Sequence, residues 1–248
     1  MFGLFKKSKP QSPEPEINFS KLGADLHSHL IPGVDDGAQN VEESVALVKV
    51  MQELGFSNII TTPHIMADYY RNTRQSIEKG LEVLREELLR QNIHMPVEAA
   101  AEYYLDETFE ARLDENDMLT MGDGFILFEM SYINFPQNLF ETIEKIKDKG
   151  YKPILAHPER YPYLFESMEK YQRIKETGCY FQLNTISLTG YYGKATQKIA
   201  EQLVDAMLID FIASDMHHLK HANALKRSLQ LPYVQKLLTD YQLQNELL

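Results

Sequence analysis

Two pairs of potential metal ligands, each with one residue between its members, stand near opposite ends of the chain. His27 and His29 form the first pair, and Asp215 and His217 form the second. In an extended strand, residues i and i+2 point to the same side, so each pair can present two ligand atoms to one cation. A single pair with this spacing is weak evidence for a metal site. Its recurrence directs attention to the residues between the two pairs.

Four further residues with metal-ligand chemistry lie between the pairs, each after a short apolar run. They are His64, Glu102, Glu129 and His157. Taken singly, each is better explained as a solvated loop charge or as a histidine whose hydrogen bonds are satisfied within the core. Together with the pairs, however, they place His, Asp or Glu at the ends of six of the seven predicted strands. Such a concentration indicates a multi-metal hydrolytic site.

The elements that must position these residues are short strands alternating with helices. The strand candidates recur every ~25–40 residues, which is the length of a βα unit. This alternation predicts an α/β fold with a parallel sheet, whose simplest closed form is a single-domain, TIM-like (β/α)7 barrel. The carboxyl ends of the strands form the active-site face of such a barrel, and the residues above stand there. The predicted strands are 24–27, 58–61, 97–103, 125–130, 152–156, 180–183 and 211–214.

The clearest helix pattern covers residues 41–54. Apolar side chains recur there at helical spacing, Asn40 is placed as the N-cap, and Gly55 is placed as the C-terminal stop. Residues 139–150 and 195–207 show a similar pattern. These segments are predicted to be the connecting helices of the barrel.

The composition and net charge of the chain argue against two classes of binding partner. Of 248 residues, 44% are hydrophobic and 25% are charged, which is typical of a soluble globular protein. The 25 Lys and Arg residues against 36 Asp and Glu residues give a formal charge of −11. Because nucleic acids and anionic membranes attract clustered cationic charge, neither is an expected partner.

The single cysteine and the absence of a long apolar run bear on location. Cys179 cannot form an intrachain disulfide, and no apolar run reaches the ~18–20 residues of a membrane span, so a cytoplasmic protein is predicted.

A thiol phosphatase would need an arginine six residues after the cysteine, where Thr185 stands; Cys179 is predicted to be a buried hydrophobe. Residues 1–19, rich in Lys and Pro, are predicted to be a flexible tail before a folded domain at 20–248.

Several motifs follow one another over most of the chain: Thr62-Pro63-His64, Glu102, Ala156-His157-Pro158-Glu159-Arg160 and Ala213-Ser214-Asp215-Met216-His217, with His27-Ser28-His29 and Asp35-Asp36-Gly37 before them. Together they resemble the motifs of the polymerase-and-histidinol-phosphatase (PHP) superfamily. The run Asp25-Leu26-His27-Ser28-His29 followed by Pro32-Gly33-Val34-Asp35-Asp36-Gly37 more narrowly resembles the bacterial manganese-dependent protein-tyrosine phosphatases of capsule and exopolysaccharide loci. The order and spacing of the motifs make this likeness specific.

The resemblance implies a PHP-type distorted barrel that holds three divalent metal ions, with Mn²⁺ expected and Fe or Zn as alternatives. Asp35 competes with Asp36 for one ligand position, and the resemblance favours Asp36. Arg160, His157 and Asp215 are the implied catalytic residues, with Arg160 neutralising charge on the phosphoryl group. The implied ligands are His27, His29, Glu102 and Asp215 for one ion, Glu102, Glu129 and His157 for a second, and Asp36, His64 and His217 for a third.

The implied activity is hydrolysis of phosphotyrosine by a metal-activated hydroxide. The implied substrate is the phosphorylated tyrosine-rich tail of a bacterial tyrosine kinase that controls capsule or exopolysaccharide synthesis. Two alternatives stay open: a phosphomonoesterase for a small metabolite such as histidinol phosphate, and a metal-bound regulator of polysaccharide assembly without turnover. The sequence leaves the oligomeric state undetermined.

Two features concern the walls of the site. Many relatives have a second arginine soon after the last motif, whereas this chain has His218, Leu219, Lys220 and His221, so Lys220 is the candidate substitute. Three tyrosine pairs are expected on loops at the pocket mouth, where they would either stack on a substrate ring or simply pack. They are Tyr69-Tyr70, Tyr103-Tyr104 and Tyr191-Tyr192.

Overall fold

The computed structural model describes residues 17–248, and within them nine strands are parallel to their neighbours. They are β1 Ala24–Asp25, β2 Asn58–Thr61, β3 His64–Ile65, β4 Val97–Ala99, β5 Glu102–Tyr104, β6 Phe125–Glu129, β7 Lys152–Ala156, β8 Tyr180–Asn184 and β9 Phe211–Ala213. They form a three-stranded sheet, β1-β2-β4, and a six-stranded sheet, β3-β5-β6-β7-β8-β9. The predicted α/β class with parallel pairing is confirmed.

The two sheets are parts of one ring of seven chain segments. The last segment returns to the first through backbone hydrogen bonds from Asp215 N to His27 O (2.9 Å) and from His29 N to Met216 O (2.8 Å). On the other side the chain itself joins the sheets, because it runs directly from β2 into β3 and from β4 into β5. Backbone bonds from Ala100 N to Thr61 O (2.9 Å) and from Glu102 N to Pro63 O (3.1 Å) continue the pairing across this junction. The barrel is therefore distorted, with an interrupted ladder in place of one continuous sheet.

The predicted strand 24–27 ends at Asp25, and the predicted strands around Glu102 and His64 also need correction. The segment 97–103 is not one strand but two, β4 and β5, and Glu102 begins the second strand instead of following the first. His64 likewise begins β3. The break between β2 and β3 falls at Pro63, which has no backbone N–H to donate to a ladder. The break lets the chain leave one sheet and join the other at the site.

Eight α-helices in the described part of the chain cover the ring. They are α1 Val41–Glu53, α2 Arg74–Arg90, α3 Glu107–Glu115, α4 Leu139–Asp148, α5 Met168–Glu176, α6 Lys194–Asp205, α7 Leu219–Ser228 and α8 Pro232–Thr239. Asn40 caps α1 as predicted, since its side chain accepts from Glu43 N at 2.9 Å. The predicted helices 139–150 and 195–207 end two residues early, at Asp148 and Asp205. None of the helices in residues 17–248 has the length and apolar character of a membrane span.

Most of the predicted tail, residues 1–16, lies outside the described residues. Phe19, at its end, is fully buried and stacks on Phe56 with ring centroids 5.1 Å apart. It begins a short 3-10 helix, Phe19–Leu22, that packs on the barrel. The packed domain therefore includes Phe19.

The barrel interior is apolar toward the amino ends of the strands, here called the lower part, and polar at their carboxyl ends, here called the upper part. Buried residues such as Ile60, Ala100, Leu127, Ile154 and Phe211 fill its lower part as a separate core cluster. Because side chains alternate along a strand, the next positions on the same face carry the polar residues of the upper part. The larger core cluster lies between the strands and the helices. The site is thus built on a dry, packed floor.

A buried carboxylate fastens the last strand to the first. Asp25 is fully buried, and it accepts from Ser214 N at 2.8 Å and from Ser214 Oγ at 2.9 Å. Burial raises the pKa of Asp25 to about 7, because the low-dielectric interior disfavours its charge. The two donated hydrogen bonds partly offset that penalty.

We expect Asp25→Ala to destabilise the protein by about 2–4 kcal/mol, because two buried donors on Ser214 lose their acceptor. Asp25→Asn keeps one acceptor oxygen and should lose less. Urea denaturation followed by circular dichroism measures the change. Asp148→Ala, at an exposed helix end, is the control and should stay within about 0.5 kcal/mol of wild type. Equal stabilities for the Asp25 and Asp148 variants would contradict this role.

Candidate metal centre

The strands deliver the candidate ligands by simple alternation. In β6, Phe125, Leu127 and Glu129 share one face, so two core residues are followed by a carboxylate at the strand end. After β9, Asp215 continues the face of Phe211 in the same way. The upper end of the barrel therefore collects acids and imidazoles above an apolar floor.

Glu102 is the centre of the cluster. Its carboxylate is fully buried, and its Oε2 lies 3.1 Å from His27 Nε2, 3.3 Å from His29 Nε2 and 3.2 Å from His64 Nδ1. This oxygen nevertheless has no hydrogen-bond partner of acceptable geometry in residues 17–248. The other oxygen, Oε1, lies 2.9 Å from His157 Nε2. Glu102 thus touches four imidazoles, an arrangement that suits a bridging metal ligand.

All nine predicted ligands meet in four overlapping groups with ligand atoms within 4.8 Å of one another. The groups do not reproduce the three implied sets. His29 is grouped with Asp36, and Asp215 is grouped without Glu102. Glu129 is grouped with His64, whose Nδ1 lies 3.2 Å away, and not with His157, whose Nε2 lies 3.9 Å away. His64 therefore joins two groups. The groups are His29, Asp36, His64 and His217; His27, His29 and Asp215; His27, Glu102 and His157; and His64, Glu102 and Glu129.

Asp35 and Asp36 occupy different environments. Asp36 is half-exposed, and its Oδ1 lies 3.5 Å from both His64 Nε2 and His217 Nε2. Asp35 is buried behind the cluster, where it accepts from His29 Nδ1 at 2.8 Å and from Gly37 N at 3.0 Å. The geometry places Asp36 among the potential ligands and Asp35 in the support of His29.

Supporting hydrogen bonds orient two imidazoles toward the cluster. His29 Nδ1 donates to Asp35, and His27 Nδ1 donates to Gln182 Oε1 at 2.8 Å, which leaves both Nε2 atoms free to bind a metal. The Gln182 amide donates in turn to Asn184 Oδ1 at 2.9 Å. Sequence reasoning did not assign Gln182 and Asn184 a role.

The backbone itself is strained at the site. His157 and Asp215 have φ angles of 35° and 48°, in the left-handed region that residues with a Cβ rarely adopt. His157 directly follows β7, and Asp215 stands two residues after the end of β9, so the sharp bend turns each side chain into the cluster. Gly37 is required nearby, because a Cβ there would lie 2.1 Å from the His29 carbonyl oxygen.

Electrostatics favour charged forms for most of the cluster. Burial opposes the charge of His64, yet the carboxylates of Glu102 and Glu129 raise the pKa of its imidazole to about 9. Burial likewise opposes ionisation of Glu102, but His27 and His64 hold the pKa of that carboxyl well below its usual range. Burial and the neighbouring Arg160 lower the pKa of His157. A cation binding here would compete with protons on the imidazoles.

Arg160 forms the cationic wall above the cluster. Its Nη1 donates to Asp215 Oδ2 at 3.0 Å, and only 23% of its side chain is exposed. Both residues line a cavity of about 590 Å³, a volume typical of small-ligand sites. The cavity exposes the cluster and the guanidinium together.

The predicted substitute for a second arginine does not reach the cavity. Lys220 is exposed on α7 and does not line the cavity, whereas His218 and His221 do. His218 is fixed as the N-cap of α7, because its ring accepts from His221 N at 3.3 Å. Helix geometry turns Lys220 away from the residues that follow the last strand.

The tyrosine pairs divide between mouth and core. Tyr69, Tyr104 and Tyr192 line the cavity. Tyr103 does not, because it points into the core on the opposite face of β5, and its hydroxyl accepts from Leu119 N at 2.6 Å. The expectation that all three pairs stand at the mouth is wrong for this residue. Tyr70 stacks on the His64 ring at 5.3 Å.

The family model described as "Capsular polysaccharide synthesis, CpsB/CapC" matches residues 23–243, which is most of the chain. The chain belongs to the CpsB/CapC family. Its likeness to tyrosine-protein phosphatase YwqE of Bacillus subtilis (strain 168) is 30% identity over 80% of this chain and 79% of YwqE. Tyrosine-protein phosphatase CpsB of Streptococcus agalactiae serotype V is 27% identical over 79% of this chain and 83% of CpsB. The family expected from the motifs is confirmed.

Solved structures agree with this CpsB/CapC membership. A chain from the crystal structures of YwqE from Bacillus subtilis and CpsB from Streptococcus pneumoniae, described as metal-dependent tyrosine phosphatases, has a TM-score of 0.80 and 28% identity, covering 88% of both chains. The lactonase Lmo2620 from Listeria monocytogenes has a TM-score of 0.53 and 13% identity, covering 93% of this chain and 92% of its own. The lactonase shares the fold alone.

Cys179 lies apart from the candidate metal centre of this CpsB/CapC protein. It is 1% exposed, and burial raises the pKa of its thiol to about 12, so the reactive thiolate is scarce at neutral pH. We expect the kcat/KM of Cys179→Ala for a phosphotyrosine peptide to stay within about twofold of the wild-type value. We also expect the wild type to stay active after treatment with iodoacetamide at pH 7.5. Loss of activity in both experiments would instead indicate thiol chemistry.

Proposed function

We propose that this chain is a metal-dependent protein-tyrosine phosphatase. The observation that carries the proposal is the buried Oε2 of Glu102, which has no hydrogen-bond partner in residues 17–248 and is enclosed by three imidazole nitrogens at 3.1–3.3 Å. Glu102 and Arg160 line the same cavity. The relatives named as tyrosine-protein phosphatases support the same activity. The proposed substrate is the phosphotyrosine tail of a bacterial tyrosine kinase of capsule or exopolysaccharide synthesis, encountered in the cytoplasm.

The donor set suits divalent transition metals. Imidazole and carboxylate donors together favour Mn²⁺, Fe or Zn over the all-oxygen sites of Mg²⁺ and Ca²⁺, and three ions with Mn²⁺ foremost are proposed. Four carboxylates against three divalent ions leave the loaded centre formally cationic, although the chain carries −11. The proposed ligands are His27, His29, Asp36, His64, Glu102, Glu129, His157, Asp215 and His217.

Bound divalent ions would supply a hydroxide nucleophile at neutral pH and Lewis-acid contacts for the phosphoryl oxygens. Arg160 presents its remaining N–H groups to the cavity, where they can donate to equatorial phosphoryl oxygens. Asp215 acts twice, as a proposed ligand and as the acceptor that fixes Arg160 at 3.0 Å. His157 offers Nε2 to the cluster beside Glu102.

The leaving group needs little help from an acid. Tyrosine phenol has a pKa near ~10, so the phenolate leaves without strong protonation. Aromatic residues at the mouth, including Tyr69 and Tyr104, can flank a phenyl ring. These features favour an aryl phosphate over a small alkyl phosphate.

Metal removal gives the first test. We expect the protein loaded with Mn²⁺ to hydrolyse a phosphotyrosine peptide, and EDTA to abolish the activity until Mn²⁺ is restored. Phosphoserine peptide and histidinol phosphate, assayed alongside, should be hydrolysed at least about tenfold more slowly. Preference for histidinol phosphate would support the metabolite phosphatase instead. Full activity in EDTA would rule out the metal mechanism, and no turnover after metal loading would favour a non-catalytic regulator.

Arg160 gives the second test. We expect Arg160→Ala to lower kcat/KM for the phosphotyrosine peptide by about 100-fold, the usual order for loss of a donor that stabilises transition-state charge. Arg160→Lys keeps the charge without the planar fork and should recover only part of the loss. Arg227→Ala, in the exposed last turn of α7, is the matched control. Unchanged kinetics for Arg160→Ala would exclude it from phosphate binding.

A further inference from the structure

The guanidinium of Arg160 lies between two tyrosine rings. Its Cζ is 4.2 Å from the Tyr192 ring centroid and 5.0 Å from the Tyr132 ring centroid. The rings come from separate loops, one after β6 and the other before α6. Neither loop contributes a residue to the four candidate metal groups, so the metal chemistry alone gives these tyrosines no role.

The Tyr132 ring is braced by a column of stacked rings. It lies 5.3 Å from the Tyr161 ring at 27° and 5.9 Å from the His157 ring at 20°. Tyr161 is fully buried; its hydroxyl donates to Ala156 O at 3.1 Å and accepts from Met130 N at 3.0 Å. The column therefore rests on the ends of β6 and β7.

The Tyr192 ring is held from another direction. It packs edge-on against Tyr191, with centroids 5.2 Å apart at 82°. Its hydroxyl reaches Asp215 Oδ2 only at 3.5 Å, the outer limit of a hydrogen bond, and the Tyr132 hydroxyl lies equally far from His157 Nδ1. Both tyrosines present a ring face to Arg160, whereas the hydroxyls reach only these long contacts with other residues.

Contacts with ring faces leave the N–H groups of a guanidinium free to donate hydrogen bonds. An aromatic face attracts the cation through its quadrupole without using any N–H group. The planar fork keeps its in-plane donors for one bond to Asp215 and for further oxygens in the cavity. A long arginine side chain with a single ion pair would otherwise sample many rotamers, and holding it in one orientation favours reaction.

We propose that Tyr132 and Tyr192 are positioning residues that clamp Arg160 through their ring faces, in the orientation that it needs to contact a phosphoryl group. The inference rests on the proposed function, in which Arg160 binds the transferred phosphoryl. It predicts that an aromatic ring at each position is required and that the phenol hydroxyl is not.

The test is a double-mutant cycle on the Mn²⁺-loaded full chain. Tyr192→Leu and Tyr132→Leu should each lower kcat/KM for a phosphotyrosine peptide about tenfold, whereas Tyr192→Phe and Tyr132→Phe should stay within about twofold of wild type. In the Arg160→Ala background, the leucine substitutions should have no further effect, because the residue on which they act is gone. Tyr233→Leu, on α8 far from the site, is the control for loss of a tyrosine.

A second measurement separates this inference from the proposed activity. Inorganic phosphate binding to the Mn²⁺-loaded protein, measured by isothermal titration calorimetry, should weaken about tenfold in each leucine variant. In the Arg160→Ala background, adding either leucine substitution should not weaken phosphate binding beyond the loss caused by Arg160→Ala alone. Phosphate coupling without phosphotyrosine hydrolysis would refute the proposed activity and keep the clamp. Hydrolysis with additive effects in the cycle would overturn the clamp, as would equal losses for Phe and Leu. Melting temperature and metal content, measured for each variant, must stay at wild-type values; a lost ion would mean that the tyrosines support the metal centre instead.

Discussion

The burial of the Glu102 carboxylate among imidazoles is the interaction on which the rest of the structure depends. A buried charge is tolerated only when partners compensate it, and this one lies within 3.3 Å of nitrogens from four histidines. Those histidines come from three separate segments of the chain, at residues 27–29, 64 and 157. The break at Pro63, which splits the ladder into two sheets, brings His64 beside Glu102 in a parallel register. The break that distorts the barrel therefore also brings His64 and Glu102, two candidate ligands, together.

Other departures from ideal geometry serve the same convergence. Left-handed backbone at His157 and Asp215 costs free energy that the surrounding packing must offset, and it turns both side chains inward at the strand ends. Gly37 lets the loop that carries Asp35 and Asp36 press against His29. The apolar layer beneath excludes water, which strengthens every charge interaction above it. A formal charge of −11 on the chain is compatible with an anionic substrate, because divalent ions bound at the proposed site would supply positive charge locally.

Much of this arrangement could be predicted from sequence, because period-two alternation and strand-end placement are local properties. His27, His29 and Glu129 follow directly from them. Gln182 could not be assigned, since its contact joins residues 155 positions apart and an amide has no distinctive chemistry. Tyr132 and Tyr192, whose rings contact Arg160, could not be assigned either, because their residue type does not distinguish them from the other tyrosines. Tyr103 shows the opposite case: neighbouring residues in a strand face opposite sides, so alternation places only one member of the Tyr103-Tyr104 pair at the mouth.

The central claim is that Glu102 bridges divalent ions inside the barrel. Anomalous X-ray scattering from crystals of the wild-type chain grown with Mn²⁺ tests it most directly, because it locates each ion without reference to activity. The account predicts peaks within about 2.0–2.3 Å of ligand atoms of the four His and carboxylate groups, with Glu102 in contact with more than one ion. A cluster without anomalous density, or ions bound only elsewhere on the chain, would contradict it.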